Sequence, residues 1–275
     1  MNNYLVFTII LDEELREILI AELAEIGFEG FMEQENGIEA YLPESDFDQE
    51  GFDSILTRYG IAPNQVTKKH QEPENWNAKW ESDFQPVTVE NKLIVRAPFH
   101  EPSGDYEFEL IIQPKTSFGT GHHETTRTIL GLMIESNWKE KSVFDFGAGT
   151  GILAILAKKL GAGYVFANDI DDWAAENILE NLALNHCDEI DFKKGGLEVC
   201  PEKSFDCILA NINKNVLMGS FDKLSSVSHA KTELFISGFF ETDLPDLLIN
   251  AEAAGWKFIG KRVENGWCAA ILQKA

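Results

Sequence analysis

The segment VFDFGAGTGILA, residues 143–154, places a carboxylate and three glycines between an apolar run and an amphipathic one. Asp145 is followed by Gly147, Gly149 and Gly151. Glycine lets a turn adopt positive φ and lets a ligand approach the backbone closely. Open α/β sheets bind nucleotides at such turns, outside the carboxyl ends of their strands. The segment therefore predicts a nucleotide-binding turn between a buried strand and a helix.

The glycine spacing indicates which nucleotide the turn binds. A dinucleotide fingerprint requires glycines at positions 147, 149 and 152, but position 152 is Ile152. The spacing therefore argues against a dehydrogenase. Gly-x-Gly-x-Gly instead resembles the loop of class I methyltransferases, in which it holds the methionine part of S-adenosyl-L-methionine.

The next strand of the pattern ends in FANDIDD and places Asp169 22 positions after Gly147. An acidic side chain there can accept hydrogen bonds from both hydroxyls of a ribose. Ile170 is expected to pack on the adenine face. Asp169 can alternatively cap the following helix, but Asp171 and Asp172 suit that task better, so we favour the ribose role.

Three segments carry a resemblance to a known family. FGTGHHETT from Phe118, VFDFGAGTGILA and ILANINKN from Ile208 stand in the order and spacing of the bacterial ribosomal protein L11 methyltransferases, the PrmA family. The resemblance extends over nearly the whole chain. It implies methyl transfer from S-adenosyl-L-methionine to lysine side chains and the N-terminal amine of L11. The product would be S-adenosyl-L-homocysteine, and no metal is involved.

Carried over residue by residue, the resemblance implies cofactor contacts from Thr126, Gly147, Asp169 and Asn211. Thr126 would offer its hydroxyl to the carboxylate or sulfonium end of the cofactor. Asn211 would also be the catalytic residue, since it would position the acceptor amine beside the methyl group. Gly149 and Ile170, from the reasoning above, complete the expected cofactor site.

Two segments depart from the family pattern, at residues 113–117 around Lys115 and at residues 212–215 around Asn213. They affect the expected shape of the acceptor entrance but not the cofactor site. A methyltransferase of the same fold acting on another protein or on a small molecule therefore remains an alternative. A non-catalytic module that binds the cofactor is a weaker one, because the four carried-over residues are intact.

Charge and composition limit the partners. The 275 residues carry a net charge of −23, and residues 1–60 contain 15 acidic side chains but only two basic ones. Such a field disfavours direct nucleic-acid binding. The acidic region is either a solvated surface or a docking face for a basic protein. The scattered cysteines and the lack of a signal peptide, long apolar run or metal-ligand spacing predict a cytoplasmic protein without membrane or metal.

The pattern of elements predicts an α/β protein with two domains. Residues 1–70 form a small α+β, ferredoxin-like substrate-recognition domain, residues 71–86 a linker with Trp76 and Trp80, and residues 87–275 the cofactor-binding domain. Repeated βα units from Ser142 predict a doubly wound, Rossmann-like class I methyltransferase sheet that ends in an antiparallel edge hairpin. The expected strands before this sheet are Tyr4–Leu11, Phe28–Glu33, Gly37–Leu42, Val87–Pro98 and Tyr106–Gln113. Those of the sheet are Ser142–Phe146, Tyr164–Ile170, Ser204–Asn211, Glu233–Phe239 and two around Glu264–Gly266. The expected helices follow Asp12, cover Phe52–Tyr59, Gly151–Leu160, Asp172–Asn185 and Asp243–Ala254, and include one that ends near Val227.

Overall fold

A computed structural model describes residues 4–34, 36–71, 84–115 and 118–275. The chain divides into two compact units, Met1–Asp83 and Phe84–Ala275. Most of the expected linker, with Trp76 and Trp80, lies outside the described residues. Within the described ranges, no helix is long and apolar enough to cross a membrane.

The first unit has the element order βαββαβ. Its elements are β1 (Tyr4–Ile10), α1 (Glu13–Glu25), β2 (Gly30–Gln34), β3 (Gly37–Pro43), α2 (Gln49–Arg58) and β4 (Val66–Gln71). The antiparallel sheet has the order β2-β3-β1-β4, which is the ferredoxin-like arrangement. The sequence predicted every element except β4. That strand reads VTKKHQ and lies at a sheet edge, where charged side chains replace the apolar alternation that identifies a strand.

Period-two alternation builds the core of the first unit. Leu5, Phe7 and Ile9 of β1 are all buried, as expected when alternate residues of a strand face one side of the sheet. The Phe7 ring lies 5.6 Å from that of Phe28 and 4.6 Å from that of Phe52. An aromatic core thus joins β1 to α2 and to the turn before β2.

The second unit begins with a small sheet followed by a large one. The first part comprises β5 (Val87–Val89), β6 (Leu93–Arg96), β7 (Phe108–Ile111) and α3 (Glu124–Ile134). The second part comprises β8 (Ser142–Phe146), α4 (Ile152–Lys159), β9 (Tyr164–Asp169), α5 (Asp172–Leu184), β10 (Asp191–Lys194), β11 (Phe205–Asn211), α6 (Lys214–Met218), α7 (Phe221–Ser226), β12 (Ser228–Phe240), α8 (Leu244–Ala253), β13 (Trp256–Glu264) and β14 (Trp267–Lys274).

The large sheet confirms the doubly wound prediction. Its order is β10-β9-β8-β11-β12-β14-β13. The strands from β10 to β12 run parallel, and β14 is antiparallel to both of its neighbours. The closing hairpin lies at the edge as predicted, with β14 inside and β13 outermost. The chain reverses its direction of winding between β8 and β11, so a ligand crevice is expected at their carboxyl ends.

Two local predictions need correction, and one strand of the large sheet was not predicted. The expected strand Val87–Pro98 is a hairpin, because Glu90 and Asn91 adopt positive φ of 53° and 51° between β5 and β6. The single helix expected to end near Val227 is two helices, α6 and α7, separated at Gly219 and Ser220. Strand β10 was not predicted, because DFKK is short and three of its four residues are charged.

Candidate active site

A cavity of about 580 Å³ opens at the carboxyl ends of β8, β9, β11 and β12. Of the predicted site residues, Gly147, Gly149, Asp169, Ile170 and Asn211 all line it. The volume lies within the range of pockets that take small molecules and cofactors. The fold thus brings together five residues that were predicted from three separate segments.

Backbone hydrogen bonds hold the glycine turn against the neighbouring strand β9. The N–H groups of Gly147 and Ala148 donate to the carbonyl of Asn168 at 3.0 and 2.9 Å. Gly149 has a φ of 56°, and a Cβ at this position would lie 2.5 Å from the carbonyl oxygen of Phe118. Only glycine fits here, because both the backbone conformation and the neighbouring carbonyl exclude a side chain.

Asp169 lies at the end of β9 and is not the helix cap. Its Oδ2 accepts from the Gly149 N–H at 2.8 Å, and its Oδ1 accepts from the Asp171 N–H at 3.0 Å. The Asp171 side chain caps α5 by accepting from the Trp173 N–H at 3.0 Å. Each Asp169 oxygen retains further acceptor capacity, which fits the two hydroxyls of a ribose. The side chain of Ile170 is 75% exposed on the same wall and offers an apolar surface to a base.

Asn211 ends β11 on the opposite side of β8. Its Nδ2 donates to Thr126 Oγ1 at 3.3 Å, while its Oδ1 is buried and has no hydrogen-bond partner among the described residues. Leaving a buried acceptor unpaired costs roughly 1–3 kcal/mol. A cavity-lining residue with such an atom is suited to receive a donor from a ligand, and an amine supplies one.

Thr126 is the one predicted site residue that does not line the cavity. It is fully buried in the first turn of α3 and reaches the cavity through Asn211. The preceding residue, Thr125, lines the cavity instead. The predicted contact between Thr126 and the cofactor remains a prediction, whereas its contact with Asn211 is a feature of the structure.

An aromatic wall was missed by the sequence reasoning. Phe118, His123 and Trp267 line the cavity, with ring centroids 5.4 Å apart for Phe118 and His123 and 4.8 Å apart for His123 and Trp267. Phe240 stacks on Trp267 at 4.0 Å. His123 stands within the FGTGHHETT segment and could have been proposed. Trp267 belongs to β14, and no spacing in the sequence connects it to the glycine turn.

The two departures from the family pattern have structural explanations. Lys115 forms an ion pair with Glu180 at 2.5 Å and does not line the cavity. Asn213 lines the cavity and caps α6 by accepting from the Val216 N–H at 3.1 Å. Lys214 forms an ion pair with Asp243 at 2.8 Å. Among the described residues of the two departures, Ile212 and Asn213 are therefore the ones that line the cavity.

Asp145 lies behind the glycine turn, fully buried. Its Oδ2 accepts from the Ala154 N–H at 3.0 Å, and its Oδ1 has no partner among the described residues. Burial raises the pKa of this carboxyl to about 7, because desolvation disfavours the charged form. The carboxyl therefore titrates near neutral pH although it does not line the cavity.

The strand order, the glycine turn and an acidic residue after the second strand define the class of protein. The second unit is a Rossmann-like, S-adenosylmethionine-dependent methyltransferase of class I. The residues fit this cofactor, since Asp169 has free acceptor capacity for a ribose and the turn leaves no room for a side chain at Gly149.

Comparisons with known proteins identify the family. The family model described as ribosomal protein L11 methyltransferase (PrmA) matches residues 8–275, and the chain belongs to this family. The ribosomal protein L11 methyltransferase of Porphyromonas gingivalis is 41% identical over 263 residues, which cover 94% of this chain and 90% of that protein. That of Phocaeicola vulgatus is 39% identical over 262 residues, with 94% and 93% covered. The crystal structure of ribosomal protein L11 methylase from Lactobacillus delbrueckii subsp. bulgaricus matches with a TM-score of 0.64 and 28% identity, over 70% of this chain and 100% of that one.

Proposed function

We propose that this protein transfers methyl groups from S-adenosyl-L-methionine to amino groups of ribosomal protein L11, namely lysine side chains and the N-terminal amine. The observation that supports amines as acceptors is the buried, unpartnered Oδ1 of Asn211 on the cavity wall. The acceptor protein follows from the family and its named relatives. Since that acceptor is a ribosomal protein, we place the reaction in the cytoplasm.

The cofactor would be held at the β9 side of the cavity. Asp169 would accept the ribose hydroxyls, Ile170 would cover the adenine face, and the backbone at Gly147 and Gly149 would lie along the methionine part. The bound cofactor supplies an already activated methyl group, so the protein need not provide a nucleophile. No metal takes part in the proposed reaction.

The acceptor amine must lose its proton before it can react. The reference pKa of lysine is about 10.4, so the free side chain is almost fully protonated at neutral pH. Desolvation in the cavity lowers that pKa, whereas a carboxylate touching the amine would raise it. Asn211 and the carbonyl of Ile212 offer neutral acceptors that orient the amine, and water takes the proton.

The sheet separates this acceptor region from the carboxylates of the cavity. Asp169 ends β9 and Asn211 ends β11, with β8 between the two strands. Two strand spacings amount to roughly 10 Å. A charged carboxylate can therefore contact the ribose while neutral acceptors contact the amine. The carboxylate is too far away to touch the amine and raise its pKa.

The acidic first unit would recognise the substrate. Residues 1–60 hold 15 acidic side chains, and Glu13, Glu17 and Glu25 of α1 are exposed. A field of this sign attracts a basic protein and makes the association sensitive to salt. Neutralising Glu17 and Glu25 together with Asp53 of α2 should raise the KM for L11 several-fold at low salt. The KM for the cofactor should not change. The matched control neutralises three exposed acidic residues of the second unit, Asp188, Asp222 and Glu252. An equal effect there would remove the recognition role.

The experiment that tests the function is incubation of the enzyme with purified L11 and isotopically labelled cofactor, followed by mass spectrometry of L11 peptides. We expect label on lysine side chains and on the N-terminal amine, and none when the cofactor is omitted. Label on another protein of a ribosomal extract, with L11 unlabelled, would favour the alternative substrate. Cofactor uptake without any labelled product would favour the non-catalytic alternative.

A further inference from the structure

We propose that Thr150 and Asn181, neither of which lines the cavity, are positioning residues that set the affinity for the cofactor. They would act by fixing the Phe118–Gly119 wall against the glycine turn. The inference rests on the proposed function only in taking the cavity as the cofactor site.

Thr150 joins two motifs that lie about 30 positions apart in the sequence. Its N–H donates to the carbonyl of Phe118 at 3.1 Å, and its Oγ1 donates to the carbonyl of Gly119 at 2.7 Å. Thr150 is fully buried, so water does not compete for these bonds. Phe118 and Gly119 both line the cavity, and the threonine therefore holds a wall that it does not itself form.

The wall has no spare room to move towards the turn. A Cβ on Gly119 would lie 2.7 Å from Thr150 Oγ1, and a Cβ on Gly149 would lie 2.5 Å from the Phe118 carbonyl. Cβ atoms in folded proteins do not approach other heavy atoms this closely. The two backbones are in direct contact, so the position of the wall depends on the hydrogen bonds that join them.

Asn181 extends this connection to α5. Its Nδ2 donates to the carbonyl of Thr150 at 2.9 Å, and its Oδ1 accepts from the N–H of Gln113 at 2.8 Å. The N–H, the hydroxyl and the carbonyl of Thr150 are all therefore engaged in holding other segments. One buried amide fixes both the glycine turn and the backbone that leads from β7 towards the wall.

Asn185, the residue that follows α5, supplies a comparison at the end of the same helix. It is buried one turn after Asn181 and binds the N–H and the carbonyl of Ile111 at 2.9 and 2.6 Å. Both asparagines hold the end of β7 and the residues just after it, because residues at i and i+4 share one helix face. Only Asn181 also contacts Thr150. A purely structural role predicts similar effects from both asparagines, whereas a positioning role predicts an effect on cofactor affinity from Asn181 alone.

The test compares Thr150→Val, Thr150→Ser and Thr232→Val in the full chain. Valine keeps the shape of threonine but leaves the Gly119 carbonyl without its donor, whereas serine keeps the hydroxyl. Thr232 is the matched control, since its buried Oγ1 donates to the Phe205 carbonyl at 2.6 Å at the amino end of β11. Calorimetry should show the cofactor Kd raised about tenfold in Thr150→Val, and unchanged in Thr150→Ser and Thr232→Val. At saturating cofactor, kcat and the KM for L11 should stay near those of the wild type.

Asn181→Ala and Asn185→Ala form the second pair, which decides the question if Thr150→Val does not fold. Asn181→Ala should weaken cofactor binding by a similar factor, and Asn185→Ala should lower only the melting temperature. Wild-type affinity in Thr150→Val, or equal losses of affinity in the two asparagine variants, would overturn the inference. A wild-type enzyme that binds the cofactor but does not methylate L11 would overturn the proposed function alone. A wild type that binds no cofactor would overturn both.

Discussion

The two ends of the cavity are built in different ways. At the β9 end, both oxygens of Asp169 already accept backbone hydrogen bonds from Gly149 and Asp171. At the β11 end, the Oδ1 of Asn211 is buried without a partner among the described residues. Acceptors that are already hydrogen-bonded keep the shape of their end of the cavity before any ligand binds. A buried acceptor without a partner gains the most binding free energy when a ligand supplies a donor. The contrast supports our proposal that the first end, the cofactor end, holds the cofactor and that the second, the acceptor end, receives the amine.

The largest expected effect is that of Asn211→Ala, which removes the unsatisfied acceptor. We expect kcat for L11 methylation to fall by about 10² to 10³, as happens when one orienting hydrogen-bond group is lost from an active site. Cofactor Kd, measured by calorimetry, should change much less. Asn213→Ala is the control, since Asn213 also lines the cavity but caps α6. Normal turnover in Asn211→Ala would show that the unpaired acceptor does not orient the amine, and would contradict the proposed difference between the two ends.

The next effect concerns the Ile212 carbonyl. Gly238 sits in a bulge of β12 with a φ of 96°, and a Cβ there would lie 2.2 Å from the Ile212 carbonyl oxygen. Gly238→Ala should displace this carbonyl and lower kcat by about 10- to 100-fold, because catalysis is sensitive to misplacements of about 1 Å. Gly161→Ala has similar backbone strain, with a φ of 100° and no neighbour closer than 3.7 Å. If both variants lost the same activity, strain alone would explain the result.

The cofactor end should respond in binding rather than in turnover. Asp169→Asn keeps the size of the side chain but removes the charge that strengthens hydrogen bonds from ribose hydroxyls. We expect the cofactor Kd to rise about tenfold and kcat at saturating cofactor to remain near normal. Asp171→Asn, at the helix cap, should leave the Kd nearly unchanged. A fall in kcat with unchanged cofactor Kd in Asp169→Asn would contradict a role of Asp169 in cofactor binding.

Asp145, behind the glycine turn, is expected to affect activity least, and its replacement should change the stability of the protein instead. Its pKa is raised by burial from 3.8 to about 7. Between these values the folded protein holds a proton that the unfolded chain has released, so the free energy of unfolding falls as pH rises through this window. Asp145→Asn removes that dependence. Relative to the wild type, the variant should gain on the order of 2 kcal/mol in the free energy of unfolding between pH 5 and pH 7.

Denaturant titrations at several pH values measure this gain. Glu109→Gln is the control, because hydrogen bonds from Arg96 and from the Ser103 N–H hold the pKa of Glu109 below its usual value although burial opposes them. Its contribution is lost only as pH falls into the acid range, so its difference from the wild type should be constant between pH 5 and pH 7. An equally flat difference for Asp145→Asn would show that this carboxyl is ionised in the folded protein.

The sequence predicted the residues at the ends of the strands better than the aromatic wall, and the reason is physical. Gly147 and Gly149 follow β8 directly and Asp169 ends β9, so a local pattern determines where they lie. Trp267 lines the same cavity from the last strand, and its place there depends on the insertion of β14 beside β12. A single sequence does not show such a long-range pairing.

The contact between Thr126 and the cofactor stays a prediction, since the structure shows only that Thr126 is buried and contacts Asn211.

The errors in the predicted elements have local causes. Strands β4 and β10 were overlooked because edge strands carry charged residues in place of an apolar alternation. Helices α6 and α7 are separated at Gly219 and Ser220. The apolar spacing continues across this pair, so the sequence predicted one helix.

The place of Trp267 in the last strand has a consequence for biosynthesis. Residue 267 is added to the chain 98 residues after Asp169. During synthesis, the glycine turn and Asp169 therefore precede one part of the cavity wall. A nascent chain that stalls before β14 would carry Asp169 and Asn211 but lack Trp267, so the aromatic wall of the cavity would be incomplete.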